Sequence, residues 1–169
     1  NLGTMYYNGS HVSQNYTESI KWYKRSAEQN VPTAKYNLAT MYLSGKGVKV
    51  IIKKALQLLI SAAELNNKDA QFKLSEMYLN GEGVLRNYKE GLKWIRLSAE
   101  QGYLYAQNEM GLIYQEGKMV SQDYVEALKW YRLSAAQKLK EAEFNLAFIY
   151  YSGQATPQND IEDVDWSSL

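Results

Sequence analysis

The chain has 169 residues, of which 19 are basic and 18 acidic, with one histidine and no cysteine. Charges that nearly cancel exclude a global field drawing the chain to nucleic acid or to an anionic membrane surface. The lack of cysteine excludes a disulfide framework and thiolate metal sites, and no segment approaches the roughly 18 consecutive apolar residues of a membrane span.

The predicted elements follow a register of 36 residues: Ala34, Ala70, Ala106 and Ala142 share it, as do Tyr6, Tyr42, Tyr78, Tyr114 and Tyr150. So do Gly9, Gly45, Gly81, Gly117 and Gly153, and Ala27, Ala63, Ala99 and Ala135. Trp22, Trp94, Trp130 and Trp166 keep the same spacing, with Leu58 as the one break. A spacing held this long without an insertion marks a stacked repeat array, which grows by adding units rather than by closing a core. Leu2 stands where later units have Leu38, Leu74, Met110 and Leu146, so the chain opens in mid-repeat and reads as a fragment.

In chain order, a partial first helix (helix A) is expected over 1–8, ending at Gly9, with His11 where later turns have a second glycine. Asn15, three residues before Glu18, has the spacing of an N-cap and its acidic partner, so helix B starts there. Asn30, tolerant of a left-handed backbone, marks its exit, and Pro32 follows where a helix begins. Helix A of the next unit is expected over 33–44, with Ala34, Leu38, Ala39 and Tyr42 as its buried stripe. Its turn is GKGV at 45–48, the first glycine in the C-cap place.

The following helix B, 52–65, departs from its sisters: Ile51 replaces the cap, Ile52 a tyrosine, and Leu58-Leu59 the Trp-aromatic pair. Helix A returns over 69–80, 105–116 and 141–152, with GEGV at 81–84, GKMV at 117–120, the caps Asn87 and Asp123, and the exits Asn66 and Gly102. The buried face of the last complete helix B is Ala127, Leu128, Tyr131 and Ala135, with Trp130 at its edge. The array thus divides into a partial repeat 1–32, full repeats 33–68, 69–104 and 105–140, and a partial repeat 141–153. Residues 154–169 form an acidic tail with Asp160, Glu162, Asp163 and Asp165, in which Asn159, Glu162 and Trp166 keep register for a short helix B that either caps the array or is a cut-off repeat.

The string A-x-x-x-L-G-x-x-Y-x-x-G-x-G-V, followed by D-Y-x-x-A-x-x-W-Y and A-A, resembles the Sel-like (Sel-one-like) repeat family, a branch of the tetratricopeptide-like α/α repeats. The resemblance implies an all-α, right-handed superhelical solenoid of helix-turn-helix repeats whose A helices line a concave surface. It also implies a non-catalytic adaptor or scaffold that assembles other proteins. The alternative is the repeat region of an enzyme or enzyme inhibitor whose catalytic part lies outside this fragment.

No constellation for catalysis, a metal or a cofactor is found. His11 has no fixed partner in sequence, no serine has lysine three positions on, and no glycine-rich turn matches a phosphate-binding fingerprint. Ten of the fifteen tyrosines fall in repeat columns and are read as packing, leaving Tyr7, Tyr36, Tyr103, Tyr105 and Tyr151 for the surface. Lys21, Lys93 and Lys129, with Lys24, Arg96 and Arg132, make a basic row on helix B that reads as a solvated face.

The partner-binding columns are the helix A positions outside the buried stripe. They give Tyr36, Thr40, Leu43, Phe72, Glu76 and Leu79, then Tyr105, Asn108, Leu112, Gln115, Phe144, Phe148 and Tyr151. Their side chains change from unit to unit and are rich in aromatic and aliphatic anchors, which dominate interface energetics. The expected partner is a protein or peptide, with no nucleic acid, no membrane insertion and a monomeric array; too few Arg, Lys, Asn and Gln occupy these columns to read RNA one base per repeat.

Overall fold

The computed structural model describes residues 2–154. Among them the elements are all helical: α1 (Leu2–Asn8), α2 (Tyr16–Glu28), α3 (Pro32–Ser44), α4 (Ile52–Glu64), α5 (Lys68–Asn80), α6 (Tyr88–Glu100), α7 (Leu104–Glu116), α8 (Tyr124–Ala135) and α9 (Lys140–Tyr151). The odd-numbered helices are the A helices and the even-numbered ones the B helices of an all-α repeat solenoid. The short helix expected around Asn159, Glu162 and Trp166 lies outside the described residues. The chain divides into two compact units, the first ending at Ser98 and the second beginning at Ala99.

Each complete A helix starts one residue earlier than its spacing suggests. Pro32 occupies the first helical position of α3, where its missing N–H costs nothing. At α5 the Asn67 side chain accepts from the Ala70 N–H at 2.8 Å. Gly45, Gly81 and Gly117 end the A helices with φ of 70°, 76° and 66°, a left-handed backbone that glycine adopts without strain. One further backbone bond closes each of the four turns from α1, α3, α5 and α7 into the next helix. The N–H groups of Asn15, Ile51, Asn87 and Asp123 donate to the carbonyls of Tyr6, Tyr42, Tyr78 and Tyr114 at 2.8, 3.1, 2.9 and 3.0 Å.

That bond changes the expected caps. Asn15, Asn87 and Asp123 do accept from the N–H of Glu18, Glu90 and Glu126, at 3.0, 3.1 and 3.0 Å. The glutamates have no cap N–H left to receive, since the tyrosine carbonyl already holds it. They turn instead to Lys21 (2.6 Å), Lys93 (3.4 Å) and Lys129. Half of the expected basic row is therefore committed to these pairs. Ile51 makes the backbone bond but offers no side-chain cap, so α4 keeps its turn and loses its cap.

In unit 1 the stripe Ala34, Leu38, Ala39 and Tyr42 is buried, continuous with Leu59, Ala63, Ala70 and Leu74. The B-helix exits Asn30, Asn66 and Gly102 are left-handed as expected, and Lys138 joins them with φ of 64°. In unit 2, Ala127, Leu128 and Tyr131 are buried, but Ala135 is only half-buried. Ser134 takes the innermost place instead, its hydroxyl donating to the Leu104 carbonyl at 2.8 Å. Ser98 does the same to Lys68 in unit 1 at 2.8 Å. Gln71 and Gln107 tie each A helix to the B helix before it by donating to the carbonyls of Ala63 (3.1 Å) and Ala99 (3.2 Å). Those carbonyls, in the last turn of a helix, also accept the backbone N–H of Asn66 (3.0 Å) and of Gly102 (2.9 Å), so each glutamine takes up a second lone pair.

Candidate partner-binding face

Clefts open along the A helices in both units, among them one of about 400 Å³ lined by Leu43, Lys73 and Met77 in unit 1. In unit 1 a cleft of about 380 Å³ between α1 and α3 is lined by Thr4, Tyr7, Asn8, Tyr23, Tyr36, Asn37 and Thr40. In unit 2 a cleft of about 540 Å³ between α7 and α9 is lined by Asn108, Glu109, Leu112, Lys140, Glu141, Phe144 and Asn145. The α7–α9 cleft shares three repeat columns with the α1–α3 cleft, since Asn108, Glu109 and Leu112 stand 72 residues after Tyr36, Asn37 and Thr40, whereas Lys140 and Glu141 stand in columns the α1–α3 cleft does not use.

A feature of the B helices, not foreseen from sequence, shapes this face. Tyr23 and Tyr131 are large buried side chains that need room under an A helix, and Gly3 and Gly111 provide it. A Cβ at Gly3 would lie 2.6 Å from the Tyr23 ring, and one at Gly111 would lie 2.5 Å from the Tyr131 ring. The same two columns hold Ala39 with Leu59 and Ser75 with Ile95, all buried. The larger side chain on helix B goes with the smaller residue on helix A. Both tyrosine hydroxyls find A-helix partners: Tyr23 with Thr4 Oγ1 at 3.0 Å, and Tyr131 donating to Gln115 Oε1 at 2.6 Å. The signal was present in the sequence as paired departures at fixed distance, Gly3 with Tyr23 and Gly111 with Tyr131.

The sequence-predicted residues divide by exposure. In unit 1 all six are half-buried. Tyr36 and Leu43 pack against the core, and Leu79 covers Gly91, where a Cβ would meet its Cδ2 at 2.4 Å. Glu76 takes Lys73 at 3.1 Å, the Thr40 hydroxyl donates to the Asn37 carbonyl at 2.7 Å, and the Phe72 carbonyl receives the Ser75 hydroxyl at 2.7 Å. Burial, then the carboxylates of Asp69 and Glu76, push the Tyr36 hydroxyl above its ordinary pKa.

In unit 2 the columns are more open: Phe144 is 70% exposed, Phe148 47%, Tyr105 50% and Tyr151 94%. Phe144, Phe148 and Tyr151 follow i, i+4, i+7 spacing and form one stripe on α9. Leu112 is half-buried against the core. Asn108 departs from the expected open groove: it is 8% exposed, and its Oδ1 accepts from Asn145 Nδ2 at 3.1 Å. Burial, then Glu109 and Glu116, raise the pKa of Tyr131 well above that of a free phenol.

Of the tyrosines expected at the surface, Tyr105 and Tyr151 are exposed, whereas Tyr7, Tyr36 and Tyr103 are half-buried. Lys46 donates to the Tyr7 hydroxyl at 2.8 Å and sits 5.0 Å from its ring centroid. His11 is exposed with φ of 66°. Among the described residues no group of three His, Cys, Asp or Glu is placed to hold a metal ion, and no helix is long and apolar enough to cross a membrane.

A family model described as Sel1 repeat matches residues 1–31, 32–67, 68–103, 104–139 and 140–162. The chain belongs to the Sel1 repeat family. Sel1 repeat proteins are generally protein-interaction scaffolds and are typically non-catalytic. Among solved structures, this chain is 34% identical to a Sel1 repeat protein from Oxalobacter formigenes, with a TM-score of 0.84 over 90% of this chain and 62% of that one. It is 35% identical, with a TM-score of 0.83, to c5321, described as a protective antigen of uropathogenic Escherichia coli strains displaying an SLR fold, over 90% of this chain and 32% of that one. Helicobacter pylori cysteine rich protein B shares the fold at 18% identity and a TM-score of 0.59, over 76% of this chain and 95% of that one. The Sel1 segment described here therefore spans less than two thirds of either of the first two proteins. Comparison with curated proteins found no match.

Proposed function

We propose that this Sel1 repeat segment is a non-catalytic, monomeric scaffold that holds a partner protein or peptide on its A-helix face. It acts without nucleic acid, cofactor or membrane insertion. The observation that carries the reading is the stripe Phe144, Phe148 and Tyr151, three large aromatic side chains exposed on one face of an A helix. Exposed aromatic anchors beside a cleft are the groups that supply most of an interface's binding energy. Tyr105 adds a fourth aromatic on α7.

Site-specific photocrosslinking tests this. A photoreactive phenylalanine analogue at Phe144 is compared with one at Leu133, which is 50% exposed on the B helix α8. A partner that crosslinks at 144 and not at 133 supports the A face as the binding surface. A partner captured only at 133 places binding on the B helices and overturns the proposal.

A further inference from the structure

We infer that the α7–α9 cleft takes an extended peptide segment carrying a basic side chain next to an apolar one, a reading that rests on the A-face proposal and specifies its partner. Three independent features of the cleft support this.

The first is charge. Helices α7 and α9 carry Glu109, Glu116, Glu141 and Glu143 against Lys140 alone. Glu116 is held by Lys118 at 3.0 Å, whereas Glu141 and Glu143 make no ion pair among the described residues. Both lie in the first turn of α9, where the helix dipole favours a carboxylate, and Glu141 lines the cleft together with Glu109 and Lys140. Glu18, Glu90 and Glu126 in the first turns of their B helices, by contrast, are each paired with a lysine three residues on. Residues 155–169 bring Asp160, Glu162, Asp163 and Asp165 and no base, so the chain's own end does not complement the cleft.

The second is a pair of amides. Asn108 is 8% exposed, and its Oδ1 is used by Asn145 Nδ2. Its Nδ2 makes no hydrogen bond among the described residues. Yet no fully buried side-chain nitrogen or oxygen among the described residues lacks a partner. That nitrogen therefore keeps contact with solvent, and the cleft is what Asn108 lines. Asn145 Oδ1 likewise has no bond among the described residues. One open donor and one open acceptor match the carbonyl and N–H of a peptide backbone. The third feature is the apolar wall made by Leu112 and Phe144, which receives one side chain of the segment while a basic neighbour reaches Glu109 or Glu141 at the rim.

The test uses the full chain and two fluorescent hexapeptides, one alternating leucine with arginine and one alternating leucine with glutamate, read by anisotropy. The arginine peptide is expected to bind and the glutamate peptide not to. Raising ionic strength from about 0.01 M to about 0.15 M, which shortens the screening length from about 30 Å to about 8 Å, should weaken binding several-fold. Glu109→Gln with Glu141→Gln should weaken it about tenfold through lost charge-assisted contacts. Asn108→Asp, checked by circular dichroism for intact helices, should also weaken it, although it adds negative charge, because the amide donor is gone.

Equal binding of both peptides, lost in Phe144→Ser, would overturn the charge assignment and leave the A-face reading standing. Binding of the arginine peptide that ignores both glutamate substitutions would overturn it too, by placing the contact elsewhere. Binding of neither peptide overturns it outright, while crosslinking at 144 judges the A face separately. A concentration-dependent dimer abolished by Phe144→Ser, with no peptide bound, would make the cleft a contact between copies and sink the proposal.

Discussion

None of the seven residues lining the α1–α3 cleft is charged, and its walls are tyrosine, threonine and asparagine. The α7–α9 cleft, which shares three columns of the repeat with it, has two glutamates, a lysine and a phenylalanine that is 70% exposed. Both units nevertheless place a helix-B tyrosine under a helix-A glycine, at Tyr23 with Gly3 and at Tyr131 with Gly111. The difference separates two kinds of constraint. Positions facing the neighbouring helix are held by volume, where one added methylene is felt. A cleft position that stays open to solvent, as Phe144 does, carries no such constraint, so its chemistry is free to follow a ligand.

The strongest way to break the comparison is to deny a tyrosine its room. Gly111→Ala should destabilise the chain by about 1–3 kcal/mol through overpacking, despite the better helix propensity of alanine. Adding Tyr131→Leu recreates the Ala39–Leu59 pairing and should recover much of the loss. A melting midpoint unmoved by Gly111→Ala would show that the ring is not confined.

Next, the two clefts should differ in what their aromatics contribute to folding. Tyr36→Ser should cost about 1–2 kcal/mol because its ring is half-buried against the core. Phe144→Ser should stay within about 0.5 kcal/mol, as an exposed surface change does. Equal losses in denaturant titrations would erase the distinction between a packed face and a presented one.

The caps sharpen the contrast in opposite directions. Asp123→Ala should remove about 0.5–2 kcal/mol by leaving the Glu126 N–H without its acceptor, while Ile51→Asn should add about 1 kcal/mol at the uncapped start of α4. Identical thermal stability for Ile51→Asn would mean that the turn around 51 cannot aim a cap.

The smallest effect concerns Tyr131, whose hydroxyl bond to Gln115 should be worth about 0.5–1.5 kcal/mol in a comparison with Tyr131→Phe. Its raised pKa also makes stability depend on alkaline pH. The unfolded chain releases the phenol proton near pH 10, whereas the folded chain keeps it, so the contribution is full below about pH 10 and lost as pH climbs toward the folded value. The phenylalanine variant should lose less stability across that range, as followed by unfolding at successive pH values.

Helix positions, glycine C-caps and left-handed exits were legible in the sequence because each depends on a residue's own backbone preference and its immediate neighbours. The side-chain caps Asn15, Asn87 and Asp123 of the B helices were legible for the same reason, whereas the Asn67 cap of α5 was not. The reciprocal capping box was not, because its N–H is consumed by the carbonyl of Tyr6, Tyr78 or Tyr114 across the turn. The face carrying the candidate site was legible as a set of columns, but exposure within it was not. Asn108 sits in a column with Phe144, yet it is buried against Asn145 of the adjacent A helix while Phe144 is open. A column fixes where on a helix a residue stands; the neighbouring helix decides whether anything covers it. Lys138 gave no signal of its left-handed exit, since lysine has no preference for that backbone.

The glycine–tyrosine matching has a consequence for how such an array changes over generations. Both members of each pair lie within one helix A–helix B unit, so duplication or exchange at the boundary between units carries a matched pair intact. A crossover inside a unit, at the glycine turn, would set a tyrosine from one parent beneath an alanine from another. The heritable module is thus the A–B helix pair cut just before helix A, and sequence exchange among these units is constrained to that frame.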